Sequence, residues 1–260
     1  MYINSTKNFS SKNFNTNEKS GFTLIELSIV LLIISLLVGS FVGAASLISA
    51  SRAATIVSEF SYYKNAINMF KEKYGQLPGD LTGDIKTNNF SGFADDDCSE
   101  AALGDGEWSS ITEIDLAFLQ LSYDKLIREN ISFNACSAPA YREPGVHRPI
   151  SQAVEAGGYT LQNLVSVSAG STYYFLKIIR LGGMANSTDT DLSDGKVSVE
   201  SAKAIDAKID DANTPFSGKF FVSANCMDSS NSYSYYSDDS EELCVLNWAE
   251  QEIGTGAYTP

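Results

Sequence analysis

The chain has 260 residues and a formal net charge of −14, with 32 Asp and Glu against 18 Lys and Arg. A negative electrostatic field repels nucleic-acid phosphates, whereas non-specific binding to them needs clustered Lys and Arg. We therefore expect no nucleic-acid partner.

The first 21 residues are rich in Asn and Ser and show no apolar period. They carry three Lys against one Glu, hence a net charge of +2. The positive-inside tendency predicts that this end of the chain stays in the cytoplasm.

An apolar run occupies residues 22–50, and Glu26 is its only ionisable residue. A helix needs about 20 apolar residues to span the hydrocarbon core of a bilayer, so the run predicts a transmembrane helix. A carboxylate near the centre of such a helix opposes insertion by roughly 2.5–3.5 kcal/mol. Glu26 is therefore a candidate functional residue that needs a partner.

Residues 21–26 read Gly-Phe-Thr-Leu-Ile-Glu. This order resembles the processing site of type IV prepilins and type II secretion pseudopilins. The resemblance implies that a membrane-embedded prepilin peptidase cuts after Gly21 and N-methylates Phe22, so that residues 1–21 are a leader. It also implies that Glu26 pairs with the amine of Phe22 in the adjacent subunit and sets the register of assembly.

The resemblance implies a subunit of a type IV pilus or a type II secretion pseudopilus. Its partners would be prepilin peptidase, other pilin or pseudopilin subunits, the inner-membrane assembly platform and membrane lipid. The chain would cross the inner membrane once, with its N-terminus cytoplasmic and its C-terminal domain periplasmic, and assembly would extract it into a periplasmic or surface filament. The bulk of that domain favours a minor subunit.

An ordinary secretory signal is the alternative interpretation of the N-terminus. It would be cut after the apolar run, where Ala44, Ala45 and Ala50 supply small residues. The run is long for a signal core of about 7–15 residues. In this alternative the chain is a signal-anchored periplasmic protein or hydrolase that does not form filaments.

In residues 51–75 the continuous apolar run gives way to a mixture of apolar and polar residues, with no Gly or Pro before Gly75. Apolar residues recur there at steps of three and four, which predicts one buried stripe of an amphipathic helix: Ile56, Phe60, Tyr63, Ile67, Phe70 and Tyr74. Glu59, Lys64 and three further polar residues fall mostly off that stripe. Gly75 and Pro78 predict the end of the helix.

Residues 76–260 are numerous enough for a globular domain with its own core. Local patterns predict a helix at 110–128, a hairpin of strands at 159–167 and 172–181, a helix at 199–209, and strands at 219–224 and 243–249. We expect an α+β fold, in which the long N-terminal helix packs on an antiparallel sheet of about four strands. The helix at 110–128, with Leu116, Leu119, Tyr123 and Leu126 or Ile127 on its apolar face, is a helical insertion before the sheet.

Three short segments resemble recurring features of a branch of prepilin-type proteins. They are Leu-Pro-Gly-Asp at 77–80, Gly-Asp-Gly at 104–106 and Ala-Ile-Asp-Ala-Lys-Ile-Asp-Asp at 204–211. The first two are turn sequences on physical grounds. The sequence assigns them no role.

Four cysteines lie beyond the apolar run, on the side predicted to be oxidising, which favours two disulfides. Three connectivities are open. We favour Cys98 with Cys136 and Cys226 with Cys244, because each pair brackets one local excursion. The second pair resembles the C-terminal disulfide loop of many type IV pilins. The spacing lacks Cys-x-x-Cys, so zinc is not expected.

Acidic residues gather in loops, and one cluster is a candidate calcium site. Asp189 and Asp191, with Glu200 eleven residues after Asp189, are spaced like the ligands of a calcium loop, and some pseudopilins carry one calcium ion. Asp194 stands where such a loop needs Gly. A solvated acidic surface is the alternative, and we expect no other cofactor.

Catalytic motifs are weak in this sequence. His147 is the only histidine, and no Gly-x-Ser-x-Gly elbow occurs. Ser61 and Lys64 fit a loose Ser-x-x-Lys pattern but lack its companion elements. We expect that the chain is not an enzyme.

Overall fold

The computed structural model describes residues 21–82, 90, 104–108, 110–133, 141–165, 175–186, 188–210, 218–222, 226 and 243–253. Within these ranges, the side chains of 40–46, 164–165, 175–176 and 250–253 are not described. The chain divides into two compact units, Met1–Ser46 and Leu47–Pro260.

The first unit contains the beginning of helix α1, which runs over Leu24–Tyr74. Every large apolar side chain between Phe22 and Val38 is exposed, from 48% at Ile33 to 89% at Phe22. In the described part of the chain, no helical stretch meets the length and hydropathy of a membrane span.

Helix α1 ends where the sequence predicts. Gly75 adopts a φ of +74° and donates its N–H to the carbonyl of Lys71 at 2.8 Å. Glycine adopts this left-handed conformation without steric cost, which is why it follows the last helical residue. The predicted stripe is confirmed, since five of its members are buried and Tyr74 is partly buried.

The second unit is built around an antiparallel sheet. Strands β1 (Gly158–Val165) and β2 (Phe175–Gly182) pair from Gly158↔Gly182 to Val165↔Phe175. The last strand, β6 (Leu246–Ile253), pairs with both β2 and β4 (Gly218–Val222). The order is β1-β2-β6-β4, which confirms the predicted α+β fold with a four-stranded sheet.

A small second sheet pairs β3 (Val197–Ser198) with β5 (Leu243–Cys244). The sequence did not predict β3, and it predicted one strand at 243–249. That segment is instead divided at Val245, because its first two residues pair with β3 and the rest joins the main sheet.

The predicted helix at 199–209 is confirmed as α3 (Val199–Ile209). The hydroxyl of Ser198 accepts a hydrogen bond from the N–H of Ser201 and caps its first turn.

Helix α2 (Ile111–Tyr123) is the predicted helical insertion. The N–H of Ser110 donates to Glu113 Oε2 at 2.9 Å, and the N–H of Glu113 donates to Ser110 Oγ at 3.2 Å. The helix stops at Tyr123 rather than near 128, because Lys125 adopts a φ of +58°. Tyr123 is 56% exposed, so its predicted place on the apolar face was wrong.

The buried stripe of α1 packs against the sheet through aromatic rings. Phe60 meets Tyr159 of β1, Phe220 of β4 and Trp248 of β6 edge-on, with centroid distances of 5.4, 6.5 and 5.8 Å. Edge-to-face contacts at these distances add to the stabilisation from area burial. The predicted packing of the long helix on the sheet is thereby confirmed.

Candidate functional site

Gly21 and Phe22, which flank the predicted cleavage site, are both exposed. They precede the first residue of α1 in non-helical backbone. A Cβ atom at Gly21 would meet no other atom within 4 Å. Nothing among the described residues therefore covers the Gly21–Phe22 bond.

Glu26 forms reciprocal hydrogen bonds with Thr23. Its Oε2 accepts from the N–H and from the hydroxyl of Thr23, both at 2.8 Å. The N–H of Glu26 donates to Thr23 Oγ1 at 3.2 Å. This is a capping box, and the spacing Thr-x-x-Glu is its signal in the sequence.

The capping box engages only one carboxylate oxygen of Glu26. Among the described residues, Oε1 accepts no hydrogen bond. A carboxylate has about four acceptor sites, so Glu26 can keep its cap and still receive a cationic donor.

Cys226 and Cys244 form a disulfide, with their Cα atoms 5.4 Å apart. Cys244 belongs to β5, and both cysteines are buried. This confirms one of the two predicted pairs. Cys98 and Cys136 lie outside the described residues, so their pairing stays a prediction.

Asp189 organises its own loop. Its Oδ1 accepts from the N–H of Asp191 at 2.9 Å, and its Oδ2 accepts from the N–H groups of Ala185 and Ser193 at 2.8 and 3.0 Å. Burial raises the pKa of this carboxyl, but the backbone donors lower it more, so the net pKa lies below its usual value.

The other two candidate calcium ligands, Asp191 and Glu200, are exposed. Among the described residues, no group of three or more His, Cys, Asp or Glu side chains is placed to hold a metal ion. Calcium binding therefore stays a prediction from the sequence.

His147 lies in a buried aromatic setting. Its Nδ1 accepts a hydrogen bond from the N–H of Glu143 at 3.2 Å, and its ring meets Phe133 edge-on at 4.9 Å. Burial, and then the nearby charge of Arg142, lower its pKa. A neutral histidine that accepts from the backbone holds its loop in place.

Glu59 of α1 is buried, although the sequence placed it mostly off the apolar stripe. It is 3% exposed and accepts hydrogen bonds from Ser151 Oγ, the N–H of Gln152 and the hydroxyl of Tyr159 at 2.7–2.8 Å. It therefore links α1 to the segment before β1 and to β1 itself.

A second buried carboxylate, Asp115 of α2, holds two arginines. Arg142 Nε donates to its Oδ2 at 2.7 Å, and Arg148 Nη1 donates to its Oδ1. All three residues are almost fully buried. Removing Asp115 would be costly, because it would leave the two buried guanidinium groups without their shared counter-charge.

The two unassigned turn segments meet in space. Asp80 Oδ1 accepts from the N–H of Gly104 at 2.6 Å, and its Oδ2 accepts from the N–H of Gly106 at 2.7 Å. The pKa of Asp80 lies above its usual value, because burial raises it more than the N–H groups of Gly106 and Gly104 lower it. Its carboxylate closes the loop between the two segments.

The first of these segments also packs tightly on α2. The N–H of Gly79 donates to Gln120 Oε1 at 2.6 Å. Gly79 has a φ of +86°, and a Cβ there would lie 2.0 Å from the carbonyl oxygen of Glu113. Only glycine fits this position.

The chain carries the prokaryotic N-terminal methylation motif, which matches residues 16–42 and is the signature of type IV prepilin-like chains. The matched residues include Gly21, Phe22 and Glu26, with the geometry described above. The motif supports a type IV pilin-like or pseudopilin-like substrate of a prepilin peptidase. Neither a search of curated proteins nor a search of solved structures finds a match for this chain.

Proposed function

We propose that this chain is a filament subunit that assembles into a type IV pilus or a type II secretion pseudopilus. The observation that carries the proposal is the methylation motif at the start of a helix whose apolar side chains are exposed. Processing after Gly21 would make Phe22 the first residue of the mature subunit. The inner-membrane assembly platform would add that subunit to the filament.

The exposed apolar surface of residues 22–38 suits two successive environments, first the lipid bilayer and then the core of a filament. Burial of apolar surface contributes roughly 25 cal/mol per Å², so residues 22–38 need either lipid or neighbouring helices around them. The apolar run continues in the sequence through residue 50. Residues 22–50 cross the inner membrane before assembly and form the filament core after it.

The charge of the leader and the disulfide of the C-terminal domain support one orientation of the chain in the inner membrane. The leader carries a net charge of +2, which favours the cytoplasm. The buried Cys226–Cys244 disulfide suits an oxidising compartment such as the periplasm. The C-terminal domain therefore stands in the periplasm before assembly.

Glu26 selects the register of assembly in this proposal. The Phe22 amine of the adjacent subunit keeps its charge after methylation, and Oε1 of Glu26 is open to receive it. A buried ion pair adds little net stability, but an unpaired buried charge costs about 3–5 kcal/mol. Only registers that pair the two groups avoid that cost.

The size of the second unit, Leu47–Pro260, favours a minor or tip position in the filament. A subunit at low copy number tolerates a bulky domain that would crowd every turn of a homopolymer. Quantitative mass spectrometry of purified filaments would test this, since a major-subunit stoichiometry contradicts it.

Filament incorporation tests the proposed function as a whole. Filaments sheared from cells that express the peptidase should contain the chain in its mature form. Gly21→Leu should keep the chain unprocessed in the membrane and absent from filaments, because the larger side chain hinders entry of the scissile bond into the peptidase. Gly21→Ala is the matched control with a small side chain. Absence of the wild-type chain from every filament fraction would favour a periplasmic protein that does not assemble.

A further inference from the structure

A pocket of about 530 Å³ lies between α1 and the loop before β1, inside the second unit. Ser51, Arg52 and Thr55 of α1 form one wall, and residues 150–156 form the other. Sites for small ligands commonly measure about 300–1,000 Å³. The α1–loop pocket is therefore large enough for a polar ligand of moderate size.

The two walls of the α1–loop pocket are tied together. Glu59, one helical turn after Thr55, accepts hydrogen bonds from Ser151 Oγ at 2.8 Å and from the N–H of Gln152 at 2.7 Å. These bonds hold the start of the loop against the helix. The pocket is thus formed before a ligand arrives, which lowers the cost of ordering on binding.

The α1–loop pocket offers one cation and one anion. Arg52 belongs to the helical wall and Glu155 to the loop wall, and both residues are exposed. Neither side chain forms a salt bridge with any residue that the structure describes. A guanidinium binds phosphate oxygens with two parallel hydrogen bonds, and a carboxylate accepts hydrogen bonds from an ammonium group. The pair therefore suits a ligand that carries both charges.

The helical wall of the pocket begins directly after the apolar run. That run ends at residue 50, and Ser51 is the next residue. As a helix, residues 22–50 are about 42 Å long at 1.5 Å per residue. A bilayer measures about 40–45 Å with its headgroups included. Where the run crosses the membrane, Ser51, Arg52 and Thr55 come to lie at the level of the lipid headgroups.

We propose that the α1–loop pocket binds the headgroup of a phospholipid that carries a phosphate and a primary ammonium, as phosphatidylethanolamine does. Arg52 and the hydroxyl of Ser51 donate to the phosphate, and Glu155 accepts from the ammonium. Ile150, which is 38% exposed in the loop wall, contacts the glycerol and the first methylene groups. This inference rests on the proposed function, because it requires the apolar run to lie in the inner membrane.

Three lipids with identical acyl chains separate the headgroup from the hydrocarbon. The full-length chain in mild detergent is titrated with dioleoyl phosphatidylethanolamine, phosphatidylcholine or phosphatidylglycerol, and native mass spectrometry measures the bound fraction. Phosphatidylethanolamine should bind about tenfold more tightly than phosphatidylcholine, because choline has no N–H to donate to Glu155. Phosphatidylglycerol should also bind more weakly than phosphatidylethanolamine, because it has no cation. Contacts of acyl chains with the apolar run are common to all three lipids and cancel in the comparison.

Two substitutions at exposed positions separate the phosphate from the ammonium. Arg52→Met should weaken the binding of phosphatidylethanolamine about tenfold or more. Glu155→Gln should leave phosphatidylcholine binding unchanged and remove the preference for phosphatidylethanolamine. Lys71→Met and Glu72→Gln are matched controls, since both residues are exposed on α1 and lie outside the pocket wall. Both controls should bind the three lipids like the wild type.

Equal binding of phosphatidylethanolamine and phosphatidylcholine by the wild type would overturn the proposed site. Tighter binding of phosphatidylglycerol than of phosphatidylethanolamine would also overturn it, because attraction of anionic lipid to Arg52 alone would then explain the result. So would an undiminished preference in Glu155→Gln. These outcomes leave the proposed function intact. Recovery of the chain outside the membrane fraction of cells that express it would contradict the proposed anchor, and this site with it.

Discussion

Thr23 and Glu26 exchange hydrogen bonds at the start of α1, with Thr23 N–H to Glu26 Oε2 at 2.8 Å and Glu26 N–H to Thr23 Oγ1 at 3.2 Å. The residue proposed to receive the amine of the next subunit thus also caps its own helix. The two roles use different oxygens of one carboxylate. They can therefore be separated by substitution, since glutamine serves as well as glutamate in a capping box.

Processing after Gly21 should be directly visible in the mass of the chain. Co-expression with a prepilin peptidase should yield a product that begins at Phe22 and carries a methylated amine. The reason is that the methylation motif covers an exposed Gly21–Phe22 bond. Intact-mass analysis checks the prediction. An unprocessed chain, or a new terminus after Ala50, would point to a different N-terminal signal.

The Cys226–Cys244 disulfide should contribute measurably to stability. The two cysteines are 18 residues apart in sequence, and a closed loop of that length is worth about 3 kcal/mol on the chain-entropy model. Cys226→Ser combined with Cys244→Ser should lower the free energy of unfolding of the exported domain by about that amount. Urea unfolding measures it, and non-reducing peptide mapping of the wild type should find the linked pair. Two free thiols at these positions would refute it.

The buried carboxylate of Glu59 should contribute substantially to the free energy of unfolding. Glu59→Ala leaves three buried or part-buried donors without their acceptor, so we expect a loss of about 2–4 kcal/mol in the free energy of unfolding. Glu72→Ala, an exposed position on the same helix, should change stability by less than about 0.5 kcal/mol. Similar unfolding midpoints for the two variants would mean that the carboxylate of Glu59 is dispensable.

Gly79 and Gly75 form a matched pair for a test of backbone crowding. Both have positive φ, but only at Gly79 would a Cβ approach another atom closely, namely the carbonyl oxygen of Glu113 at 2.0 Å. Gly75→Ala should destabilise by about 1–2 kcal/mol, the cost of the left-handed conformation alone. Gly79→Ala should cost at least about 1 kcal/mol more, because the neighbouring backbone must also shift. Equal losses in chemical denaturation would contradict the close packing of this turn on α2.

Local patterns predicted the regular elements, because their causes are local. The stripe through Phe60 follows from helical periodicity, and the start of α2 follows from the capping box of Ser110 and Glu113. The end of α2 was misjudged by about one turn, since the positive φ of Lys125 has no local signal as strong as a glycine.

The buried polar residues could not be predicted in the same way. Glu59 lies 92 residues from Ser151 and 100 from Tyr159, and only the tertiary fold brings these groups together. Asp115 likewise meets Arg148 from 33 residues away. The candidate functional residues Gly21, Phe22 and Glu26 were found because they lie within one contiguous motif.

Filament incorporation of Glu26→Gln shows whether the charge of Glu26 sets the register of assembly. Glutamine keeps the capping box with Thr23 and removes the charge, so membrane insertion and cleavage after Gly21 should stay normal. Incorporation into filaments should fall about tenfold or more, because the amine of the next Phe22 would be buried without a counter-charge. Thr23→Val, which removes the hydroxyl but keeps the carboxylate, should assemble nearly as well as the wild type. Normal incorporation of Glu26→Gln would show that the charge of Glu26 does not set the register of assembly.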